Sequence, residues 1–240
     1  MRISKNRKLP KINPDQISLA DVDDFYSERY GTESYSAKRN SIAHKFLHWA
    51  LERGMSGLNF EKVLEVGGNR GEHLPFIQHG FVNYLCTDVN IIQKNEILSQ
   101  DSRIQFLCAN VENLDFENES FDRVIVTCLF HHLKNPDIAA REIRRVTKKD
   151  GIISIALPHD PGLLYRFLRG ITTLKNARQN NFYEAIQIIH AREHRNHFLG
   201  LQKILQVEFN SDDVSFRSYP VNLPCFNLNA LTVYNVTVRK

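Results

Sequence analysis

The sequence predicts an α/β protein built on a doubly wound sheet. The first observation is a short apolar strand, Val63 to Val66, that runs into a turn containing Gly67, Gly68 and Gly71. The second is the alternation of further apolar strands with helical segments, which is typical of α/β sheets. The further strands are predicted over residues 83–87, 104–108, 122–127 and 151–157, with a final pair over 214–219 and 231–238.

The chain before the first strand is predicted to be a basic tail followed by two helices. Residues 1–14 contain five basic residues and no acidic one, a composition typical of disorder. Within residues 15–58, one helix is predicted around 21–30 and another from about 38 to 54. Residues 15–240 are expected to form one domain, because a chain of 240 residues with 42% hydrophobic content suits one core with a modest elaboration.

Composition excludes several classes of protein. No apolar run approaches the roughly 20 residues that span a bilayer, and the basic N-terminus lacks the apolar segment of a secretory signal. The four cysteines are far apart in the chain. They suggest neither a disulfide framework nor a zinc site, so we expect a cytoplasmic protein with reduced thiols.

The formal net charge of +4 does not indicate a nucleic-acid partner. Removing the five basic residues of the tail from the total of 31 leaves 26, against 27 acidic residues, so the excess belongs to the tail. One basic stripe stands at helical spacing before Gly151, and we interpret it as a solvated helix face. It consists of Arg141, Arg144, Arg145 and Lys148.

The glycine turn predicts a cofactor site. A strand, a glycine turn and a helix N-terminus present backbone N–H groups to an anionic or carboxylate-bearing cofactor, and the residues from Glu72 are expected to begin that helix. The glycine spacing differs from the G-x-G-x-x-G of dinucleotide enzymes. Glu65 at the strand end would repel a pyrophosphate, whereas it suits a ligand with an amino group and a sulfonium. These features indicate S-adenosylmethionine.

Five ordered motifs between residues 60 and 158 resemble the class I S-adenosylmethionine-dependent methyltransferases. The motifs are VLEVGGNRG, CTDV, CANVENLDFENESFDRVIV, LFHHLKNP and REIRRVTKKDGIISIALP. Within that family the chain is most similar to the small-molecule, type 11 branch that includes quinone-biosynthesis enzymes. The resemblance implies a Rossmann-like, mostly parallel sheet of seven strands with an antiparallel last strand. It also implies S-adenosyl-L-methionine as the cofactor.

The resemblance assigns the methionine end of the cofactor site to residues of the first and fourth strands. Glu65, Gly67 and Gly71 are implied to shape it, and Thr127 is implied to lie under the methionine moiety. Asn69 departs from the family pattern, which usually has glycine at this position. Because asparagine is the non-glycine residue that best tolerates a left-handed backbone, we expect the turn to survive.

The nucleoside end is assigned to the ends of the second and third strands. Asp88 lies about twenty residues after the glycine turn, where doubly wound folds use an acidic side chain to bind ribose hydroxyls. The resemblance implies that Asn110 reaches the adenine amino group and that Val111 lies against the ring. The family usually has aspartate in place of Asn110, so its amide oxygen must face the adenine amino group.

The turn after the fifth strand holds the first candidate base. Ligands bind at the carboxyl ends of strands in such sheets, and transfer to a hydroxyl benefits from a base there. His159 follows the strand directly, with Asp160 as its orienting partner at the substrate site; the alternative is a polar turn without chemistry. After the fourth strand, we interpret His131 as structural and His132 as lining the substrate site.

A second polar cluster lies at residues 191–198, before a helix predicted from about His197 to Val207. His194 is the second catalytic candidate, and Arg195 and His197 are candidate substrate contacts. Asn196 is predicted to be the N-cap of the helix.

The histidines of this region raise the alternative of a metal site. His190, His194 and His197 would share one helical face if the helix began earlier in the chain. No carboxylate-rich motif accompanies them, and isolated histidines are more often hydrogen-bonded structural residues. We therefore expect no metal.

Residues 158–199 are predicted to form a lid over the acceptor, followed by a final helix and strand pair at 200–240. The lid has six basic residues against three acidic ones, which favours an acceptor with phosphate or carboxylate groups. Arg166 and Arg195 are its candidate contacts. An apolar stripe at 163–171 predicts a helix that covers the core, and contact with a membrane surface is the alternative.

The acceptor is predicted from a further resemblance. The runs PHDPGLLYRFLRG and AREHRNHF are similar to methyltransferases of bacterial surface-polysaccharide clusters, which makes a sugar, nucleotide-sugar or glycan hydroxyl the preferred acceptor. Transfer to carbon or nitrogen of a quinone-like or amine metabolite stays open, as does a non-catalytic cofactor-binding protein. An enzyme modifying protein or nucleic acid is disfavoured, because no Asn/Asp-Pro-Pro-Tyr motif follows the fourth strand.

Overall fold

A seven-stranded sheet organises the molecule, and the computed structural model describes residues 42–89, 100–172, 174 and 183–239. The strands are β1 (Asn59–Val66), β2 (Gly80–Asp88), β3 (Ile104–Cys108), β4 (Phe121–Thr127), β5 (Thr147–Pro158), β6 (Asp213–Tyr219) and β7 (Leu231–Thr237). Their order across the sheet is β3-β2-β1-β4-β5-β7-β6. Strands β1 to β5 pair in parallel, and β7 runs antiparallel to β5 and β6. The predicted Rossmann-like fold is confirmed.

The described residues form five α-helices. They are α1 (Ile42–Glu52), α2 (Pro136–Val146), α3 (Leu163–Ile171), α4 (Tyr183–Glu193) and α5 (Phe198–Glu208). Helix α1 lies within the second predicted N-terminal helix, whereas the tail and the helix predicted around 21–30 lie outside the described residues. Helices α3 and α4 belong to the segment inserted after β5.

The main core lies between the central strands and helices α2 and α5. Leu64, Val124 and Ile153 are neighbours on β1, β4 and β5, and all three are fully buried. Such apolar runs arise where a parallel strand has both faces covered. Ile143 of α2 and Leu201 of α5 pack into the same cluster, and burying each such side chain stabilises the fold by about 1.5–3 kcal/mol. This packing holds the carboxyl ends of the three strands in place.

The helix predicted to begin at Glu72 is absent, so this prediction is wrong. Only a 3-10 turn, Leu74–Phe76, follows the glycine turn, and the chain becomes extended at Ile77 with φ −55° and ψ 129°. The next backbone N–H, of Gln78, donates to the Glu52 carboxylate at 2.9 Å. The segment is therefore fastened to α1 instead of forming its own helix.

A buried ionic network provides that attachment. Glu52 at the end of α1 bonds His73 at 2.8 Å and Arg123 of β4 at 2.7 Å, and all three side chains are fully buried. Burial alone raises the pKa of Glu52, but the hydrogen bond from His73 and the charge of Arg123 outweigh it and lower the pKa to about 2. His48 continues the network through a 2.8 Å contact between its Nδ1 and that of His73.

The basic side chains of the stripe on α2 and the start of β5 form ion pairs with acidic side chains of the same fold. The pairs are Arg141–Asp137 at 2.7 Å, Arg144–Asp212 at 2.6 Å, Arg145–Glu142 at 2.8 Å and Lys148–Asp122 at 2.8 Å. These contacts support the interpretation of the stripe as a solvated helix face, because its charges are paired within the fold.

Helix α3 exposes its apolar stripe. Leu163 and Phe167 are each 64% exposed, and Ile171 is 52% exposed. Within the described part of the chain the stripe therefore does not cover the core, in contrast to the sequence-based expectation. Every helix in the described ranges is too short or too polar to traverse a bilayer.

Candidate functional site

The glycine turn after β1 adopts the backbone that the sequence analysis anticipated. Gly67, Asn69 and Gly71 have φ values of 68°, 46° and 75°, all in the left-handed region. A Cβ atom on Gly67 would also lie 2.9 Å from Leu129 Cδ1. Glycine is therefore needed at that position, while asparagine accepts the left-handed conformation at the third position of the turn.

Glu65 lies beneath the turn and not beside it. Its side chain is 1% exposed, and Tyr84 Oη donates a 2.9 Å hydrogen bond to Oε2. A Cβ on Gly68 would come within 2.7 Å of the Glu65 carboxyl carbon, so the turn closes directly over this group. Burial raises the pKa of Glu65 to about 8 despite the bond from Tyr84. The carboxyl is thus largely protonated at neutral pH, and its contribution to the methionine end stays a prediction.

Asp88 connects the end of β2 to the glycine turn. Its Oδ2 accepts a 3.0 Å hydrogen bond from the Asn69 backbone N–H, and the Gly68 N–H donates to the Thr87 carbonyl at 3.0 Å. The predicted ribose-binding carboxylate and the turn therefore share one edge of the sheet.

Thr127 ends β4 with a buried hydroxyl that has no hydrogen-bond partner among the described residues. A buried unpaired hydroxyl costs free energy, so this position fits a ligand that would pair with it. Asn110, by contrast, is exposed, and its amide oxygen already accepts a 3.0 Å bond from the Glu112 N–H. Val111 is 5% exposed and packs in the main core. Their adenine contacts stay predictions.

His159, the first candidate base, occupies a structural position. Its Nδ1 contacts the Phe226 carbonyl at 3.0 Å, and its Nε2 contacts Thr232 Oγ1 at 2.7 Å. The ring is 2% exposed and stacks on Phe198 with centroids 3.8 Å apart. Burial lowers its pKa. Both ring nitrogens are engaged, so the assignment of His159 as the base is corrected.

Asp160 contacts two histidines at the end of α4, one within the helix and one directly after it, and not its neighbour His159. Its Oδ2 lies 2.6 Å from His194 Nδ1 and 3.1 Å from His190 Nε2. Burial alone raises the pKa of Asp160, but the two histidines hold it well below its usual range. Burial lowers the pKa of His194, partly opposed by Asp160. The orienting partner predicted for His159 thus serves His194.

Two further histidines, from the turn after β4, complete the group. The His131 and His132 rings lie 4.4 and 5.0 Å from that of His194. His132 Nδ1 contacts the Glu193 carbonyl at 3.1 Å, and His131 is 5% exposed, as its structural interpretation requires. We call this group the histidine cluster; it consists of His131, His132, His190, His194 and Asp160.

Asn196 fixes the cluster to the sheet and is not the helix cap. Its side-chain amide donates to the Phe130 and Leu133 carbonyls at 3.2 and 2.7 Å. The N-cap of α5 is His197, which makes no capping hydrogen bond. The predicted cap is wrong because the asparagine is used to tie the chain after α4 to the turn after β4.

The remaining predicted substrate contacts lie at the surface. Arg166, Arg195 and His197 are exposed. The backbone N–H of Arg195 donates to the His131 carbonyl at 2.9 Å, which places this residue beside the histidine cluster. Their contacts with an acceptor stay predictions.

Two parts of this edge could hold a ligand. The glycine turn, Asp88 and Thr127 suit the cofactor. In the histidine cluster, potential metal-ligating atoms lie within 4.8 Å of one another in two sets: His131, His132 and His194, and Asp160, His190 and His194. The sequence analysis missed the second set, because Asp160 is 34 residues from His194; the four-residue spacing of the two histidines was its visible signal.

Comparison with known sequences agrees with this geometry. A family model described as a methyltransferase domain matches residues 64–155. The (S)-coclaurine N-methyltransferase of Thalictrum flavum subsp. glaucum is 30% identical over 100 residues, which cover 39% of this chain and only 27% of that protein.

Two solved structures with the same fold are named as methyltransferases. The 1,6-didemethyltoxoflavin-N1-methyltransferase of Burkholderia thailandensis, with bound 1,6-didemethyltoxoflavin and S-adenosylhomocysteine, is 16% identical; the match covers 100% of this chain and 99% of that one, with a TM-score of 0.58. A SAM-dependent methyltransferase of Thermotoga maritima is 17% identical over 92% of this chain and 100% of that one, also with a TM-score of 0.58. At these identities the likeness shows the fold. The family match shows that residues 64–155, from β1 to β5, are similar to a methyltransferase domain, in agreement with the sequence motifs of that region.

Proposed function

We propose that the protein transfers the methyl group of S-adenosylmethionine to a hydroxyl of a small molecule bound between the glycine turn and the histidine cluster. The observation that carries this proposal is the Asp160–His194 contact of 2.6 Å at the carboxyl edge of the sheet. Thr127 of β4 pairs with Ala156 of β5, so the unpaired hydroxyl and the segment leading to Asp160 lie on neighbouring strands. Cofactor and acceptor would meet at that edge.

The chain's own groups would then have three tasks. The sulfonium supplies an activated methyl group, so the protein must align the acceptor oxygen, exclude water and receive the hydroxyl proton. His194 is the proposed proton acceptor in place of His159, because Asp160 fixes one nitrogen of its ring. His132 would line the acceptor site beside it.

The proposed acceptor is a sugar, nucleotide-sugar or glycan, and an anionic one. The resemblance of the segment after β5 to polysaccharide-cluster methyltransferases supports the sugar. The exposed Arg166 and Arg195, with the basic balance of residues 158–199, support the negative charge. We propose that residues 158–199 form a lid over the acceptor and that residues 15–240 form a single domain. The free state of all four cysteines supports a cytoplasmic location.

Nitrogen methylation is the second candidate. The plant relative and the Burkholderia structure are both named as N-methyltransferases, and an amine acceptor would use the same alignment without needing a strong base. A non-catalytic cofactor-binding protein is the third candidate, because the fold alone does not require turnover.

One experiment separates these candidates. The purified protein is incubated with methyl-labelled S-adenosylmethionine and fractionated host metabolites, and the labelled product is isolated and its methylated atom identified. We expect a methyl ether on an anionic sugar, formed by the wild type and not by a His194→Ala variant that still binds the cofactor. A methylated amine or carbon would establish the second candidate, and cofactor binding without any labelled product would favour the third.

A further inference from the structure

We propose that Asp160, His190 and His194 bind one divalent transition-metal ion of the Zn²⁺ class. Binding of the ion does not depend on the proposed function; only the role suggested for it below does.

The three side chains already converge on one point. His190 lies in the last turn of α4, and His194 is the first residue after the helix ends. The His194 backbone N–H still donates to the His190 carbonyl at 3.0 Å, and the two ring centroids lie 3.7 Å apart. Asp160 Oδ2, from the end of β5, lies 3.1 Å from one ring nitrogen and 2.6 Å from the other. Ligand atoms about 2.0–2.2 Å from a tetrahedral zinc ion lie about 3.3–3.6 Å apart. Binding of the ion would thus lengthen the two contacts with Asp160 by about 0.2 to 1 Å. The two ring nitrogens, which lie within 4.8 Å of each other, would take up the same separation.

His190 provides a second observation. Its Nε2 is buried, and although Asp160 lies close, no hydrogen bond of acceptable geometry pairs with this nitrogen in the described residues. A buried polar atom without a partner is costly. A metal ion between the nitrogen and the carboxylate would satisfy both groups at once.

The chemistry of the set suits a borderline-soft cation. Two neutral imidazoles and one carboxylate are typical ligands of catalytic zinc, and three protein ligands leave a fourth coordination position open. The His131 and His132 rings lie 4.4 and 5.0 Å from the His194 ring and would border that position. The expectation of no metal rested on a lack of nearby carboxylate, which the fold supplies through Asp160.

On the proposed function, the open position would take the acceptor oxygen. The bound ion would lower the pKa of the hydroxyl, whose proton passes to solvent. The oxygen then forms a bond to the methyl carbon as the carbon–sulfur bond breaks, giving the methyl ether and S-adenosylhomocysteine. With the ion bound, His194 would be a ligand, and the role of proton acceptor proposed for it above would apply only to the ion-free protein.

Metal titration tests the site directly. The full chain is stripped with EDTA, dialysed and titrated with ZnSO₄ by calorimetry, with a chromophoric chelator as competitor. We expect one ion per chain in the wild type and at least a hundredfold weaker binding in His190→Ala and in Asp160→Asn. His197→Ala is the matched control, because this exposed histidine lies outside the set, and it should bind zinc like the wild type.

Circular dichroism and S-adenosylmethionine titration, run on every variant, show that each one is folded. No zinc binding by the wild type at about 100 µM would overturn the proposal, and so would equal affinities in wild type and His190→Ala. Loss of binding in His197→Ala alone would overturn it too. A wild type that binds zinc but methylates nothing would refute the proposed function and leave the metal site standing.

Discussion

Asp160 Oδ2 and His194 Nδ1 are joined by a 2.6 Å hydrogen bond that connects the end of β5 to the end of α4. This hydrogen bond fixes the orientation of the His194 ring at the carboxyl edge of the sheet. It also removes Asp160 from the neighbouring His159, whose ring is held by Phe226 and Thr232.

Replacing His194 by alanine should lower kcat by about a hundredfold or more, because the variant loses the proposed proton acceptor of the ion-free site, or a ligand of the proposed ion where the ion is bound. Cofactor affinity should stay unchanged, since the glycine turn and Asp88 are the predicted cofactor contacts and His194 is not among them. Steady-state kinetics with the identified acceptor and calorimetry with S-adenosylmethionine measure the two quantities. A variant with full kcat would exclude any chemical role for this histidine.

Replacing His159 by alanine should act on stability and not on chemistry. The variant loses a stacked, buried ring and leaves Thr232 Oγ1 with one partner fewer, so the free energy of unfolding should fall by about 2–4 kcal/mol. Urea denaturation measures this change. An unaltered unfolding curve together with a hundredfold loss of kcat would return the catalytic role to His159.

Replacing Asp88 by alanine should weaken S-adenosylmethionine binding about ten- to a hundredfold, the effect of losing charge-assisted hydrogen bonds of about 1.5–3 kcal/mol. The loss also removes the acceptor of the Asn69 N–H bond that fastens the turn. Asp101→Ala is the control, because this carboxylate pairs with Arg103 ahead of β3 and should leave the affinity unchanged. Equal dissociation constants in calorimetry for wild type and Asp88→Ala would contradict the assignment.

Glu65 should make stability fall with rising pH. Its folded-state pKa of about 8 lies above the ordinary value of 4.5, so between these values the folded protein keeps a proton that the unfolded chain releases. Over this window the free energy of unfolding should drop by up to about 1.4 kcal/mol per pH unit. Glutamine does not titrate, so Glu65→Gln should lose less stability than the wild type.

Urea unfolding of both proteins at about pH 5 and pH 8 tests this difference. Parallel losses of stability in wild type and Glu65→Gln would show that Glu65 is ionised in the folded state.

Local pattern predicted the strands and the glycine turn of the proposed cofactor half, but not every boundary or the segment after the turn. β3 was predicted with its observed ends, and the left-handed backbone of Asn69 followed from residue chemistry alone. β1 begins four residues earlier than predicted, because the mostly polar segment 59–62, with Phe60 as its one apolar residue, also joins the ladder. The absent helix after the glycine turn could not be foreseen, since it depends on Glu52 contacting a segment 26 residues away.

The acceptor half depends on contacts between distant segments. His159 and Asp160 are adjacent and both polar, so local sequence could not tell which one faces the core. His159 is the one that faces the core, because its ring stacks on Phe198 of α5 and on Phe226 of the turn before β7. The sequence therefore indicated the polar turn after β5 and the polar segment 191–198, but not the contact between Asp160 and His194 that joins them.

The Glu52 network has a consequence for where a working fragment can begin. The family match starts at residue 64, yet a chain cut there would leave His73 and Arg123 facing a void with no counter-charge, at a cost of about 3–5 kcal/mol. The same cut would release the segment after the glycine turn, which has no helix of its own to hold it. The smallest autonomous cofactor-binding unit of this protein must therefore include α1.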